Sequence, residues 1–469
     1  MEALLAKLAA NSMQMDSQTI FDLIAAHDTK AMSEGVRYYQ SKSDIVNRKR
    51  YFYDSNGSKQ EDDTAENHRL INNWHKLLVD QKVAYQFGKP MVFSVDAKSD
   101  GSHEEYSDKI DLLLGEIWDD TVADVATNAS NKGREWLHVY VDSVGYFQYV
   151  IIPAEEVIPV YDNAHKHNLE GILHYYIVKV DDVERYRVEW WTRDSVTVYI
   201  ESDGEFELDP AETVNPTPHL SIRGATQGWG KVPFVEFPNN SMRATDLEVI
   251  KSLVDEYDRG ISDFANNVAE IQDVVTILKG YESTSLSEFR HNLRHYKTIK
   301  LRAGNDSGVD KLEFNIPVEA KQELLNRIEE NIFMFGQGVN TKTDKFGNAP
   351  SGASLEFLYT LLDLKASMME RKFRRAVKRF LWFVTEYINF AFQRNFNSQE
   401  ITVTFRKNMV QNVSEIVKTL KDSQDMISDE TIVALHPMVE TPTEEYQKLI
   451  DQRKENKLPI DLRKVDLDE

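Results

Sequence analysis

Two histidines four residues apart, His291 and His295, are the nearest approach to a metal pair in this chain of 469 residues. At that spacing two imidazoles could share one face of a helix, but a zinc protease needs Glu directly after the first His, and Asn292 stands there. An exposed or nucleic-acid-facing helix is the plainer reading. His165 and His167 sit in a polar turn, and the twelve histidines are otherwise dispersed. The absence of cysteine excludes disulfides and thiolate metal sites and fits a reducing compartment. Phosphate chemistry lacks a cradle: Gly336-Gln337-Gly338 ahead of Lys342 misses the P-loop spacing, and no Gly-x-Ser-x-Gly elbow presents a nucleophile. Glu155-Glu156 and Glu329-Glu330 are adjacent in sequence, so their carboxylates diverge along a helix. Solvated faces or subunit contacts suit them better than acid and base catalysis. The sequence therefore predicts no catalytic residue, no metal and no cofactor.

What remains is charge. Lys279, Arg290, His291, Arg294, His295, Lys297, Lys300 and Arg302 make residues 274–316 the one clearly basic region, suited either to docking a partner or to facing DNA. A second cluster, Arg371, Lys372, Arg374, Arg375, Lys378 and Arg379, falls on the polar face of a helix. It could pair with acidic neighbours in an oligomer or contact DNA directly. The rings that follow, Phe380, Trp382, Phe383, Tyr387, Phe390, Phe392 and Phe396, read as core or interface, because base stacking needs exposed rings. The whole chain carries a formal charge of -22, from 55 basic and 77 acidic residues. Duplex affinity comes largely from cations displacing counterions at phosphates, so any DNA contact should be local or deliberately weak.

These residues need elements to hold them, and the largest lie between Val318 and Phe396: a helix, a breaker-rich loop and a very long helix. Leu355, Leu358, Leu362, Ala366, Met369, Phe373, Val377, Phe380, Val384, Tyr387 and Ala391 recur in steps of three and four that average 3.6, the period of a straight α-helix. From Gly352 to Gln393 such a rod is roughly 60 Å long. Its apolar stripe must lie against something extended, either a large monomer or copies of itself. The loop 338–352 holds three Gly, two Asn and one Pro, so no regular element can run through it. Ser351 is a candidate N-cap for the long helix.

Length predicts two to four domains. Apolar residues at 41% and aromatics at 10% suffice for packed cores. No run is long and apolar enough for a membrane span and the N-terminus lacks a signal-peptide layout, so a soluble, cytoplasmically made protein is expected. In order, residues 1–50 read as helical, 54–65 as a polar connection, 66–87 as a helix stopped by Gly88-Lys89-Pro90, and 105–126 as a third helix. Residues 133–237 form a mostly antiparallel β region. A helix follows over 246–272. The pattern then gives strands at 274–278 and 298–301 around a helix at 285–295, an isolated strand at 401–405, and amphipathic helices over 411–469.

This order and several local strings resemble the SPP1-type portal proteins of tailed bacteriophages. The strings are Tyr38-Tyr39 with Ile45; Asn67 through Pro90; Gly133 and Trp136; Val232 to Asn240 leading into Asp246-Leu247-Glu248 and Ile250; Ser351 to Leu355; and Ile427 to Thr431 with Pro437. The resemblance lies in their succession along nearly the whole chain. The resemblance implies an α+β, predominantly helical portal-type fold, with wing, stem, clip and crown regions assembled as a ring of twelve around a central channel. On this chain the wing would be 1–240, with N-terminal helices 1–130 and the β region, plus the strand segment 397–410. The stem would be the helices 246–272 and 317–338, the clip 274–316 and the crown 411–469. Residues 339–350 would be a tunnel loop beside the long helix 351–396, placing Asn340, Lys342, Thr343, Lys345, Phe346 and Asn348 toward the DNA. The implied partners are other copies of the chain, double-stranded DNA without sequence preference, the large subunit of a terminase, a head-completion adaptor, the major capsid protein and a scaffolding protein. Its place would be a capsid vertex of the virion, reached from the host cytoplasm. A ring-forming scaffold without DNA contact and a monomeric hydrolase are the rival readings.

Overall fold

The computed structural model describes residues 15–270 apart from 54–56, 64, 96–101, 163–167 and 223; the strand pair 275–279 and 308–312; and residues 317–340, 352–408 and 413–456 apart from 425, 437 and 440–441. The chain is α+β, with helices holding more of the described residues than strands. Helices α1 (Ser17–Ala26) and α2 (Lys30–Tyr39) lead into a hairpin, β1 (Tyr51–Tyr53) with β2 (Lys59–Glu61), where only a polar connection was expected. Then come α3 (Trp74–Phe87), the strand β3 (Val92–Val95), α4 (Ser102–Leu114) and α5 (Trp118–Lys132).

The single helix expected over 105–126 is thus two, broken at Gly115, whose φ of 64° no helix accepts. Gly133 ends α5 with φ 84°, and a Cβ there would lie 2.0 Å from the carbonyl oxygen of Arg243. The turn therefore admits glycine alone.

The β region is antiparallel in every described pairing and divides into two main sheets. In one, β4 (Arg134–Val141) lies between β14 (Phe234–Pro238) and β5 (Phe147–Ile152). In the other, β6 (Val157–Tyr161), β7 (Leu169–Val180), β8 (Val183–Trp191), β9 (Ser195–Ser202) and β10 (Glu205–Leu208) follow in sequence order, with β11 (Thr217–Pro218) also on β9. A small hairpin joins β12 (Leu220–Ile222) to β13 (Ala225–Gln227). Helix α6 spans Lys251–Glu270, five residues later than expected, because Asp246 is held in a buried ion cluster. The strand β15 (Val275–Lys279) pairs with β16 (Gly308–Leu312); the strand expected at 298–301 and the helix expected at 285–295 lie outside the described residues.

Helix α7 (Val318–Gly336) and the 41-residue α8 (Gly352–Phe392) follow as the periodicity predicts; Ser351 lies outside the described residues. Strand β17 (Ile401–Thr404) is not isolated: it pairs with β3, which the sequence did not reveal. The chain continues through α9 (Val413–Asp422), α10 (Asp429–Leu435) and α11 (Pro442–Asn456).

The apolar stripe of α8 finds its mate inside its own chain. Met369, Phe373, Val377, Phe380, Val384 and Tyr387 are buried in one core with α4, α5, β4, β14 and β17. Trp118 stacks on Phe380 at 4.6 Å, Tyr106 donates to or accepts from Thr385 at 2.6 Å, and Phe373 meets Phe237 edge-on and Phe87 at a tilt. The resemblance implied that the long helix finds its extended partner in neighbouring copies; for this face the partner is its own chain, because α4, α5, β4, β14 and β17 bury it.

Candidate functional site

Residues 341–351 lie between α7 and α8, and both arms leading to them are fastened to α3. Gln81 works as a two-way amide clamp: its Nε2 donates to the carbonyl of Val339 at 2.9 Å, and its Oε1 accepts from the Val339 N–H at 3.0 Å. One turn on, Tyr85 stacks on Tyr359 of α8 and donates to Asp363 at 2.8 Å. Lys407 reaches Asp363 and Ser367 from the far side, at 2.5 and 2.8 Å. Val339, Tyr85, Leu362 and Ala366 close a small apolar core beneath these bonds. Gly338 makes the approach possible, because a Cβ there would sit 2.2 Å from Leu78 Cδ2.

Between the two anchors lies a buried charge cluster. Lys82 donates to Asp246 at 2.6 Å and to Asn239 at 2.8 Å, and Asn239 donates in turn to Asp246 at 2.9 Å. Lys365 of α8 completes it, 3.0 Å from Asp246 and 2.9 Å from the carbonyl of Gly336, the last residue of α7. Burial drives the Lys82 ammonium down to about 8, against the pull of Asp246. Asp246 is held well below the usual carboxylate range because the neighbouring ammonium groups outweigh its own burial. Two ammonium groups thus share one carboxylate where α3, α7 and α8 meet, and the negative end of the α7 dipole offsets part of the excess. Nearby, His75 meets Asn131 at 2.9 Å, and burial lowers its pKa to about 4.

Helix α6 is lashed to the N-terminal region by an extended strap. The N–H groups of His68, Leu70 and Asn72 donate to the side chains of Asn266, Ser262 and Asp258, at 2.7, 3.0 and 2.8 Å. Two extended residues advance about 6.6 Å, close to the ~6 Å that four helical residues rise. Alternate strap amides therefore match side chains four apart, running in the opposite direction. All three acceptor residues are fully buried. The segment expected as the first turns of a helix from Glu66 is this strap. Its Leu70, Ile71 and Trp74 imitate helical spacing, and the signal that could have exposed it is the polar stripe of Asp258, Ser262 and Asn266 on α6.

The expected site residues fare unevenly. Asn340 is half-buried at the end of the described arm, whereas Lys342, Thr343, Lys345, Phe346 and Asn348 lie outside the described residues. Lys279 ends β15; Arg290, Arg294, Lys297, Lys300 and Arg302, with His165, His167, His291 and His295, also lie outside them.

The cluster on α8 divides. Arg374 turns inward to the carbonyl of Val403 and to Glu370, and Arg379 is largely desolvated, its pKa lowered first by burial and then by Arg375. Arg371, Arg375 and Lys378 are exposed. Of the expected acidic pairs, Glu155 binds Lys132 at 2.7 Å and Glu156 lies 3.5 Å from His174. Among the described residues no cluster of metal-ligating side chains occurs.

Sequence comparison supplies the family. The family described as "Phage portal protein, SPP1 Gp6-like" matches residues 22–458. The portal protein of Bacillus phage SPP1 is 37% identical over 442 residues, covering 93% of this chain and 86% of that one. The portal protein of Clostridium phage phiCD119 is 31% identical over 441 residues, covering 89% and 91%. A solved chain from "Neck of native GTA particle computed with C12 symmetry" aligns over 78% of this chain and 90% of its own, with 10% identity and a TM-score of 0.41. The match along nearly the full length shows that the chain belongs to the SPP1 Gp6-like family of phage portal proteins.

Proposed function

We propose that copies of this chain form a ring of twelve at one capsid vertex, around a channel through which double-stranded DNA is packaged, retained and later ejected. In this reading the N-terminal helices and sheets form the wing, α6 and α7 the stem, residues 274–316 the clip and 411–469 the crown. Residues 339–350 are the tunnel loop. The observation that carries the reading is the fastening of both arms of that loop to one helix, Gln81 on the α7 side and Tyr85 on the α8 side. A loop meant to meet DNA under load needs fixed exits, and a solvent-facing connector does not.

The acidic excess of the chain, multiplied around a ring, repels the duplex and keeps it mobile. Lys342 and Lys345 then add a narrow band of cations, and phosphate contacts of this kind position DNA without reading sequence. Packaging needs an energy source outside this chain, which the large terminase subunit would supply when docked on the clip. The clip later takes a head-completion adaptor, and the wing meets the major capsid and scaffolding proteins. Lys342→Ala with Lys345→Ala is expected to leave assembly intact and to reduce the DNA retained per particle. Normal packaging and retention by this double variant removes the tunnel-loop assignment.

A further inference from the structure

Helix α8 has a second face that its own chain leaves open. Phe357, Leu361, Leu364 and Met368 are 82%, 39%, 54% and 55% exposed, four large apolar side chains in an unbroken row. Soluble proteins seldom leave such a row bare without a use for it. Continuing the same steps reaches Arg371, Arg375 and Lys378, three exposed cations. The spacing is four, three, four, three, four, three. Its mean of 3.5 is the period of a seam between two helices, whereas the buried face of the same helix keeps the 3.6 period of a straight rod. The seam also changes character along its length, apolar in its first half and cationic in its second.

A complementary helix must therefore be apolar at one end and acidic along the rest, and the outer face of α7 has this order. Glu319, Glu323 and Glu330 share one exposed face, with Arg327 as its single cation, and Met334, 55% exposed, ends it. Phe335, 53% exposed, lies beside Met334. Set antiparallel with Met334 beside Leu364, the apolar end of α7 meets Leu364 and Met368, Glu323 and Glu319 fall beside Arg375 and Lys378, and Arg327 is the one like-charged position, beside Arg371. The α7 of the same chain cannot take this place, because its opposite face is packed through Ile328, Ile332 and Phe333 onto Trp74, Leu78 and Val254.

We propose that the exposed seam of α8 docks against the outer face of α7 of a second copy of this chain. The contact is heterologous: each copy gives its α8 face to one neighbour and its α7 face to the other. Such a contact either closes into a ring or grows without end. The proposal rests on the ring reading above and adds to it which two faces meet, in which direction, and that the α8 cations serve subunit pairing more than DNA.

The lack of cysteine makes the test clean. The full-length chain carrying both Leu364→Cys and Met334→Cys, treated with a short bismaleimide, is expected to give a ladder of covalent oligomers in denaturing gels. Either single variant is expected to stay monomeric in the same gels. In native mass spectrometry, Arg371→Glu with Arg375→Glu is expected to lower the assembled fraction at least tenfold. Adding Glu323→Lys and Glu330→Lys is expected to restore it, which a merely damaged fold would not allow. An assembled wild type whose double-cysteine variant gives no ladder, or whose assembly ignores the charge reversal, overturns the pairing of these faces and leaves the ring reading standing. A wild type that stays monomeric at micromolar concentration overturns the ring reading, and this proposal with it.

Discussion

The two halves of α8 are built from similar residues and answer to different partners. From Met369 to Ile388 the apolar face of the helix fills a core with its own sheet and helices, while Arg371, Arg375 and Lys378 stay exposed on the other face. From Phe357 to Met368 one face holds the small core and ion cluster at the base of residues 341–351, while the other looks outward. The difference shows that an apolar stripe on a long helix can belong to the fold or to an assembly, and that burial within the chain separates the two. Residues at a 3.6 spacing stay on one side of a straight rod and can serve a globular core, whereas residues at 3.5 follow a seam.

The largest effects should come from the walled-in half. Phe380 is fully buried against Trp118, Phe147 and Tyr149, and Phe380→Ala is expected to cost about 3–5 kcal/mol. Urea unfolding at fixed protein concentration measures this, since association itself shifts apparent stability. A loss below roughly 1 kcal/mol would mean that the core can collapse around the gap, and the contrast between the halves would weaken. Asp246→Ala should rival it. That change leaves Lys82 and Lys365 buried without their counter-charge, and breaking a buried pair from one side typically costs about 3–5 kcal/mol. Adding Lys82→Met should recover part of the loss, because one of the two stranded ammonium groups is then gone.

Acid should loosen the molecule next. His75 and His138 are buried, and burial lowers both pKa values from 6.5 to about 4. Between those two values the unfolded chain binds more protons than the folded one, so stability is present above about 6.5 and is lost as pH falls toward 4. Each imidazole should contribute on the order of 1 kcal/mol or more over that window. Glu135 opposes them: burial raises its pKa from 4.5 to about 7, so its folded form holds a proton more firmly and its share of stability is lost as pH rises through the same range. The imidazoles outnumber it, and the urea midpoint should fall from pH 7 to pH 4.5. An unchanged midpoint would show that the two contributions cancel.

How much of this was legible in the sequence follows from how local each feature is. The buried stripe of α8 was readable because one period repeats over many turns, and the breakers before it marked the loop. The clamp was not, because Gln81 and Val339 are 258 residues apart and a bond of that kind leaves no local trace. Helix α3 also misleads pattern reading: Lys82 and Gln86 are buried, so its polar positions do not mark a solvent face. The strap failed for the opposite reason, since its apolar spacing was right for a helix while its backbone bonds were taken by α6 side chains. The exposed seam was present in the sequence all along, and only the burial of the other stripe made it stand out as a second face.

Gln81→Leu probes the hinge between the two regimes. It removes both bonds to Val339 and leaves a half-buried amide without partners, a loss of about 1–3 kcal/mol. The effect should be local, with faster hydrogen exchange at Val339 and Asn340 and little change in the core around Phe380. Exchange that quickens equally in both halves would mean that α3 supports the whole molecule and does not specifically set the arms of the loop.

The smallest effect on the isolated chain should come from Phe357→Ala, the same ring deletion as Phe380→Ala moved to the outward face. Phe357 is 82% exposed, so the folded monomer loses little burial and its stability should change by less than about 0.5 kcal/mol. Association should suffer instead, with the assembled fraction at a given concentration falling while the far-ultraviolet circular dichroism stays unchanged. If the monomer is destabilised as strongly as by Phe380→Ala, the outward face is packed within its own subunit, and the division of the helix into a half for the fold and a half for the assembly does not hold.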